Sequence, residues 1–127
     1  MPVPTGLLIV GHGSRRDAAN DVLREVVAAV EERSAGLVAV RPAFLEIARP
    51  DIERGYAELV AAGCELVVVH PYFLYPGNHT AVDIPDALER ARAAHPGSRW
   101  LITDPLNVDE RIVAVVLDRV AAAMEDR

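Results

Sequence analysis

Three side chains stand where an imidazole or a carboxylate could act on a ligand. They are His12 in "GHGSR" (11–15), Glu46 in "FLE" (44–46) and His79 in "PGNHT" (76–80). Each follows a short apolar run. Two imidazoles and one carboxylate with open positions suit a divalent first-row metal such as Fe2+, Co2+ or Ni2+. Imidazole, with an unperturbed pKa of about 6.5, also accepts protons near neutrality. Structural zinc sites are normally closed by four protein ligands. A set of three that also takes protons suits metal transfer better than metal storage.

Taken singly, the motifs are less specific. Gly11 and Gly13 permit a tight turn before a helix whose free N–H groups could meet an anion. A dinucleotide fingerprint would need a small residue where Arg16 stands. No arginine immediately precedes His12, as a phosphohistidine reading would want. His70, before Pro71 in an apolar run, and His95, in a helix-ending "HPG", read as structural. Cys64 is the one cysteine, which excludes an internal disulfide and a thiolate cluster within one chain; it reads as a buried apolar residue.

The elements that must position these groups alternate. "GLLIVG" (6–11) predicts a strand. Residues 15–33 predict a helix with Ala19, Val22, Leu23, Val26, Val27 and Val30 inward, and Ser14 with Asp17 resembles its capping pair. "LVAVRPAFLE" (37–46) predicts a second strand, bulged or shortened by Pro42. Pro50 fits the first turn of a second helix that places Ile52, Tyr56, Leu59 and Val60 inward and ends at Gly63. "ELVVVHPYFL" (65–74) predicts a central strand covered on both faces. A third helix is expected from an N-cap near Asp83, with Pro85 in its first turn, to about Ala94. "RWLIT" (99–103) predicts a fourth strand, and "NVDE" (107–110) a capping pair for a last helix to about Met124. Val113, Val116, Leu117 and Val120 form that helix's stripe, widened by Ile112, Val115 and Ala121. The expectation is an α/β fold: one βαβαβαβα domain over residues 1–127, with a four-stranded parallel sheet flanked by helices. Ligands bind such sheets outside the carboxyl ends of the strands, where His12, Glu46 and His79 all fall.

Composition narrows the partners. The 127 residues carry a net charge of −6 and no basic tail, which argues against nucleic acid. All thirteen basic residues are arginine, which excludes Schiff-base and phosphate-loop lysine chemistry. No apolar run approaches the roughly 20 residues of a membrane span. The N-terminal stretch lacks a basic n-region, so the expectation is a cytoplasmic protein with no signal peptide.

"LLIVGHGSR", "FLE" followed by a proline, and "PYFLYPGNHTAVDIP" together resemble the short sirohydrochlorin chelatase family of the CbiX/SirB type. The likeness covers residues 6 to 105, with the motifs in the family's order and spacing. It implies insertion of a divalent metal (cobalt, iron or nickel) into sirohydrochlorin, on the route to sirohaem, cobalamin and related nickel cofactors. The metal is then a substrate and no cofactor is permanently bound. The resemblance makes His12 the histidine that accepts pyrrole protons and binds metal, His79 the second metal-binding histidine, and Glu46 an acidic residue beside metal or substrate. Leu74, Tyr75, Pro76, Gly77 and Asn78 would line the macrocycle. Ser14, Arg15 and Arg49, with Arg16, lie near the expected cleft, where cationic and N–H donors suit the substrate's carboxylates. Long members hold two such halves and short ones pair, so a homodimer is expected; the broad stripe of the last helix agrees. The competing reading is a non-catalytic carrier of metal or tetrapyrrole using the same site. A receiver-type signalling domain is disfavoured, because strand one ends in Gly-His-Gly and the chain lacks lysine.

Overall fold

The structure is a computed structural model that describes residues 2–78 and 80–125. His79, one of the three expected site residues, lies outside the described residues. Among those described, strands and helices alternate as β1 (Thr5–Gly11), α1 (Asp17–Arg33), β2 (Val40–Phe44), α2 (Ile52–Ala61), β3 (Leu66–Pro71), α3 (Thr80–Ala94), β4 (Arg99–Ile102) and α4 (Glu110–Glu125). The four strands form one parallel sheet in the order β2-β1-β3-β4. No helix among the described residues is long and apolar enough to cross a membrane.

Two apolar layers hold the sheet. On one face Leu8, Val10, Ala43, Val67 and Val69 meet Ile52, Tyr56 and Leu59 of α2 and Ile84 and Leu88 of α3. On the other, Ile9, Val40 and Phe44 meet Leu23 and Val27 of α1. The strand order puts β2 at an edge, where Pro42 can sit opposite Ile9 without leaving a central strand short of a donor.

Several boundaries differ from the expectation. Ser14 does not cap α1: Arg16 is the N-cap and makes no side-chain cap bond. The Ser14 hydroxyl instead accepts the Arg16 N–H at 3.0 Å, and the Ser14 backbone pairs with buried Asn20 through bonds of 2.9 and 2.8 Å. Asp51 caps α2 by accepting the Arg54 N–H at 2.8 Å, so Pro50 lies just before the helix. Gly63, at φ 103, follows the C-cap as expected. Helix α3 starts at Thr80, which puts Asp83 in its first turn and Pro85 inside it. Asp109, rather than an Asn107–Glu110 pair, precedes α4 and accepts the Arg111 N–H at 2.9 Å. The Arg111 guanidinium also holds the Asp109 carboxyl well below the usual range.

The largest difference concerns coverage. Strand β3 is buried on one face (Val67, Val69, Pro71) but only half-buried at Leu66, Val68 and His70. Ala19 and Val22 of α1 are exposed rather than inward. Helix α4 is open as well: none of its described residues is buried.

Candidate functional site

The carboxyl ends of β1, β2 and β3 meet at one edge of the sheet. Past the last residues of β1 and β2 the backbone pairing continues: Leu45 N–H donates to Gly11 C=O at 2.9 Å and Glu46 N–H to His12 C=O at 3.1 Å. Gly13 has φ 97, and a β-carbon there would collide with the Glu46 carbonyl; glycine is what lets the two segments lie together. After Glu46, Ile47 adopts φ 69, and the Ala48 N–H closes a three-residue turn onto the Glu46 C=O at 2.7 Å. A β-branched residue in the left-handed region is rare and costs of order 1–3 kcal/mol. Such strain collects at functional positions, and here it follows the candidate carboxylate directly.

The product of this geometry is a pair. His12 Nε2 lies 3.2 Å from Glu46 Oε1, and the two side chains remain 63% and 59% exposed. Phe73, from the loop after β3, presents its ring edge-on to His12 with centroids 6.4 Å apart and an interplanar angle of 79°. Side chains this open are available to a ligand.

The pair borders a cleft of about 620 Å³ between α2 and α3. Its walls carry Asp51 and Glu53 from the start of α2 and Asp83 and Asp86 from α3. Arg90 also lines the cleft, and its Nε donates to Glu53 Oε1 at 2.8 Å. The cleft is therefore acidic, which favours a cation and repels a carboxylate. On its other side His12 lines a hollow of about 280 Å³ with Ser14, Val22, Leu23, Tyr72 and Phe73. This second hollow is mainly apolar.

The expected site residues thus divide. His12 and Glu46 are brought together, and Ser14 joins His12 in the apolar hollow. Arg15 is exposed and lines neither space. Arg49 borders a separate depression shared with Glu46, Ile47 and Arg54. Leu74, Tyr75, Pro76, Gly77 and Asn78 form the loop above the edge but do not line the acidic cleft. Leu74 and Tyr75 present apolar surface to solvent, 55% and 72% exposed. The loop joins α3 through Thr80, whose hydroxyl accepts the Gly77 N–H at 3.1 Å. Among the described residues no three His, Cys, Asp or Glu side chains form a metal-ligand set. Sequence reasoning missed Phe73 and the acidic wall. The spacing of Asp83, Asp86 and Arg90, three and then four residues, would have put them on one helical face.

His70 and Cys64 lie away from this edge chemistry. His70 Nδ1 is 2.7 Å from Thr103 Oγ1, and burial holds its imidazole below the ordinary value. Cys64 is buried, which pushes its thiol up.

Comparison with known proteins identifies the family. The CbiX family model matches residues 6–123. The chloroplastic sirohydrochlorin ferrochelatase of Arabidopsis thaliana is 40% identical over 115 residues, covering 91% of this chain and 51% of that protein. The sirohydrochlorin cobaltochelatase of Methanothermobacter thermautotrophicus is 33% identical, covering 94% of this chain and 92% of that protein. The crystal structure of the sirohydrochlorin chelatase SirB from Bacillus subtilis subspecies spizizenii, in complex with cobalt, superposes with a TM-score of 0.87 at 28% identity. That match covers 94% of this chain and 51% of the SirB chain. The chain thus spans about half the length of the Arabidopsis and Bacillus proteins and nearly all of the archaeal one. With its fold, its motifs and a family match over most of its length, the chain belongs to the CbiX family.

Proposed function

We propose that the chain is a sirohydrochlorin metal chelatase, exchanging two pyrrole protons of the macrocycle for a divalent cobalt, iron or nickel ion. The observation that carries this reading is the His12–Glu46 pair, 3.2 Å apart and open to solvent at the edge where the strands end. Two ligands on one ion, each about 2.1 Å away and roughly at right angles, lie about 3 Å apart. His12 Nε2 and Glu46 Oε1 therefore fit neighbouring corners of one coordination sphere, with His79 as the third ligand expected from the sequence. Metal and macrocycle are both substrates. The acidic wall of Asp51, Glu53, Asp83 and Asp86 draws the ion toward the pair. The apolar hollow beside Phe73, with the exposed Leu74 and Tyr75, offers the ring a surface to lie on, and Arg15 and Arg49 supply outlying cations for its carboxylates.

The relatives' names support this substrate, and the exposed apolar side of α4 supports working as a homodimer. On this reading residues 1–127 are a single chelatase domain acting in the cytoplasm, in sirohaem- or cobalamin-type biosynthesis. The test is turnover. Purified protein is given sirohydrochlorin with Co2+, Fe2+ or Ni2+, and the macrocycle absorbance is followed. Metal-dependent conversion beyond the spontaneous rate is expected. Tight binding of metal or ring with no conversion would instead make the chain a carrier.

A further inference from the structure

The side of α1 that faces the sheet is apolar except at one place. Its buried residues are Asn20, Leu23 and Val27, which share one side at helical spacing. Leu23 and Val27 pack with Ile9, Val40 and Phe44. Asn20 is only 5% exposed, yet it carries an amide. Burying an amide costs free energy unless it is hydrogen-bonded, and asparagine is a poor residue for a helix interior. A third apolar side chain would serve the packing of this helix better.

The amide faces the loop that carries His12. Asn20 Oδ1 accepts the Ser14 N–H at 2.9 Å, and Asn20 Nδ2 donates to the Ser14 C=O at 2.8 Å. One side chain thus takes both backbone groups of one residue, as a facing residue on an antiparallel strand does. The other end of the segment is held too, because the His12 C=O accepts the Glu46 N–H at 3.1 Å. Between the two holds lies Gly13, whose backbone has more freedom than that of any other residue type. Without Asn20 the segment after His12 has only its own stiffness to keep it in place.

The imidazole depends on that support. It is 63% exposed, with Glu46 Oε1 at 3.2 Å and the Phe73 ring edge-on beside it. A side chain so open is placed only as well as its backbone is placed. Phe73 is itself fixed: its C=O accepts the Leu106 N–H at 2.8 Å, and the next carbonyl, that of Leu74, accepts the Asn107 N–H at 2.7 Å. It therefore serves as a reference point for any shift of His12.

We infer that Asn20 is a positioning residue: by gripping Ser14 from inside the protein it keeps His12 in register with Glu46, so that both can meet one metal ion. The inference rests on the chelatase reading for its ion, and it gives helix α1 a part in the site that acts through His12. Loss of a group that orients a metal-binding side chain typically weakens metal affinity or activity about 10–100-fold.

The test uses the full chain, with Co2+ alone as the probe. Asn20→Leu keeps a branched side chain and removes both bonds. Asn20→Ala removes them and lets water reach Ser14, which covers the case in which Asn20→Leu does not fold. Val27→Ala is the control: it loosens the same side of α1 about two turns further on and leaves the loop bonds intact. All are expected to lower the unfolding midpoint. Titration should show Co2+ affinity about 10–100-fold weaker in a folded Asn20 variant and close to the parent's in Val27→Ala. NOEs between the His12 and Phe73 rings, measured without metal, should weaken in the Asn20 variant and persist in Val27→Ala. Parent-like affinity and NOEs in a folded Asn20 variant overturn the inference. An equal loss in Val27→Ala makes Asn20 a packing residue and overturns it as well. A parent that binds no Co2+ tells against the chelatase reading, and the NOEs then decide the hold on His12 by the same criterion.

Discussion

Gly13 approaches Glu46 so closely that a β-carbon at position 13 would overlap the Glu46 carbonyl. The glycine is also at φ 97, where other residues are strained. Gly13→Ala should therefore push the His12 and Glu46 segments apart. The expected cost is about 1–3 kcal/mol of stability, with a fall in metal insertion larger than that loss explains. Thermal unfolding and the insertion rate check this; a variant as stable and as fast as the parent would show that the close approach is not needed.

His12→Ala and Glu46→Gln separate chemistry from folding. Both side chains are more than half exposed, so either change should shift stability by less than about 0.5 kcal/mol. For His12→Ala the insertion rate should fall by about 10²–10⁴-fold, the range for loss of a general base. Glu46→Gln keeps the shape and removes the charge. A loss as deep as that of His12→Ala would assign Glu46 to the metal, and a shallow one to the ring. Near-parent rates in both variants, measured on protein shown to be folded, would place the site elsewhere.

The acidic wall predicts a split between substrates. Asp83→Asn with Asp86→Asn should raise the KM for the metal severalfold while leaving kcat for bound metal close to the parent. Surface attraction is screened by salt, so the difference between parent and variant should shrink as ionic strength rises. A salt-independent difference would mean that the carboxylates act by direct contact.

Burial holds the His70 imidazole below its ordinary value of 6.5. Below that pH the unfolded chain binds a proton more readily than the folded one. The His70 contribution is thus fully present above pH 6.5 and lost as pH falls toward the folded pKa. The unfolding midpoint should drop on acidification from pH 6.5 to about pH 5. It should drop less in His70→Gln, which keeps a polar partner for Thr103. His12, His79 and His95 are present in both chains, so the difference in slope isolates His70; equal slopes would contradict the assignment. Insertion at pH 7.5 or so should be unchanged in the variant, because His70 lies away from the cleft.

The strand–helix alternation was legible because buried parallel strands are short apolar runs and the helices between them carry a 3.6-residue stripe. That alternation was enough to bring His12 and Glu46, 34 positions apart in the chain, to adjacent strand ends. The capping pair at Ser14 was misread because the hydroxyl found a nearer donor in the Arg16 N–H, and buried Asn20 took over the loop. Ala19 and Val22 were expected to face inward because periodicity reports an apolar side without saying whose surface covers it. The breadth of the α4 stripe carried the same ambiguity. The acidic wall escaped because Asp51 and Glu53 meet Asp83 and Asp86 through the packing of α2 on α3, which no local pattern encodes.

Two amide protons, those of Leu106 and Asn107, join the loop at Phe73 and Leu74 to the root of α4. Loop and helix root are therefore joined backbone to backbone. Whatever ligand steadies residues 73–74 also sets the angle at which α4 leaves the domain. Thermodynamic reciprocity then requires the converse: a partner that captures α4 raises the loop's affinity for its ligand by the same factor by which the ligand tightens the partnership.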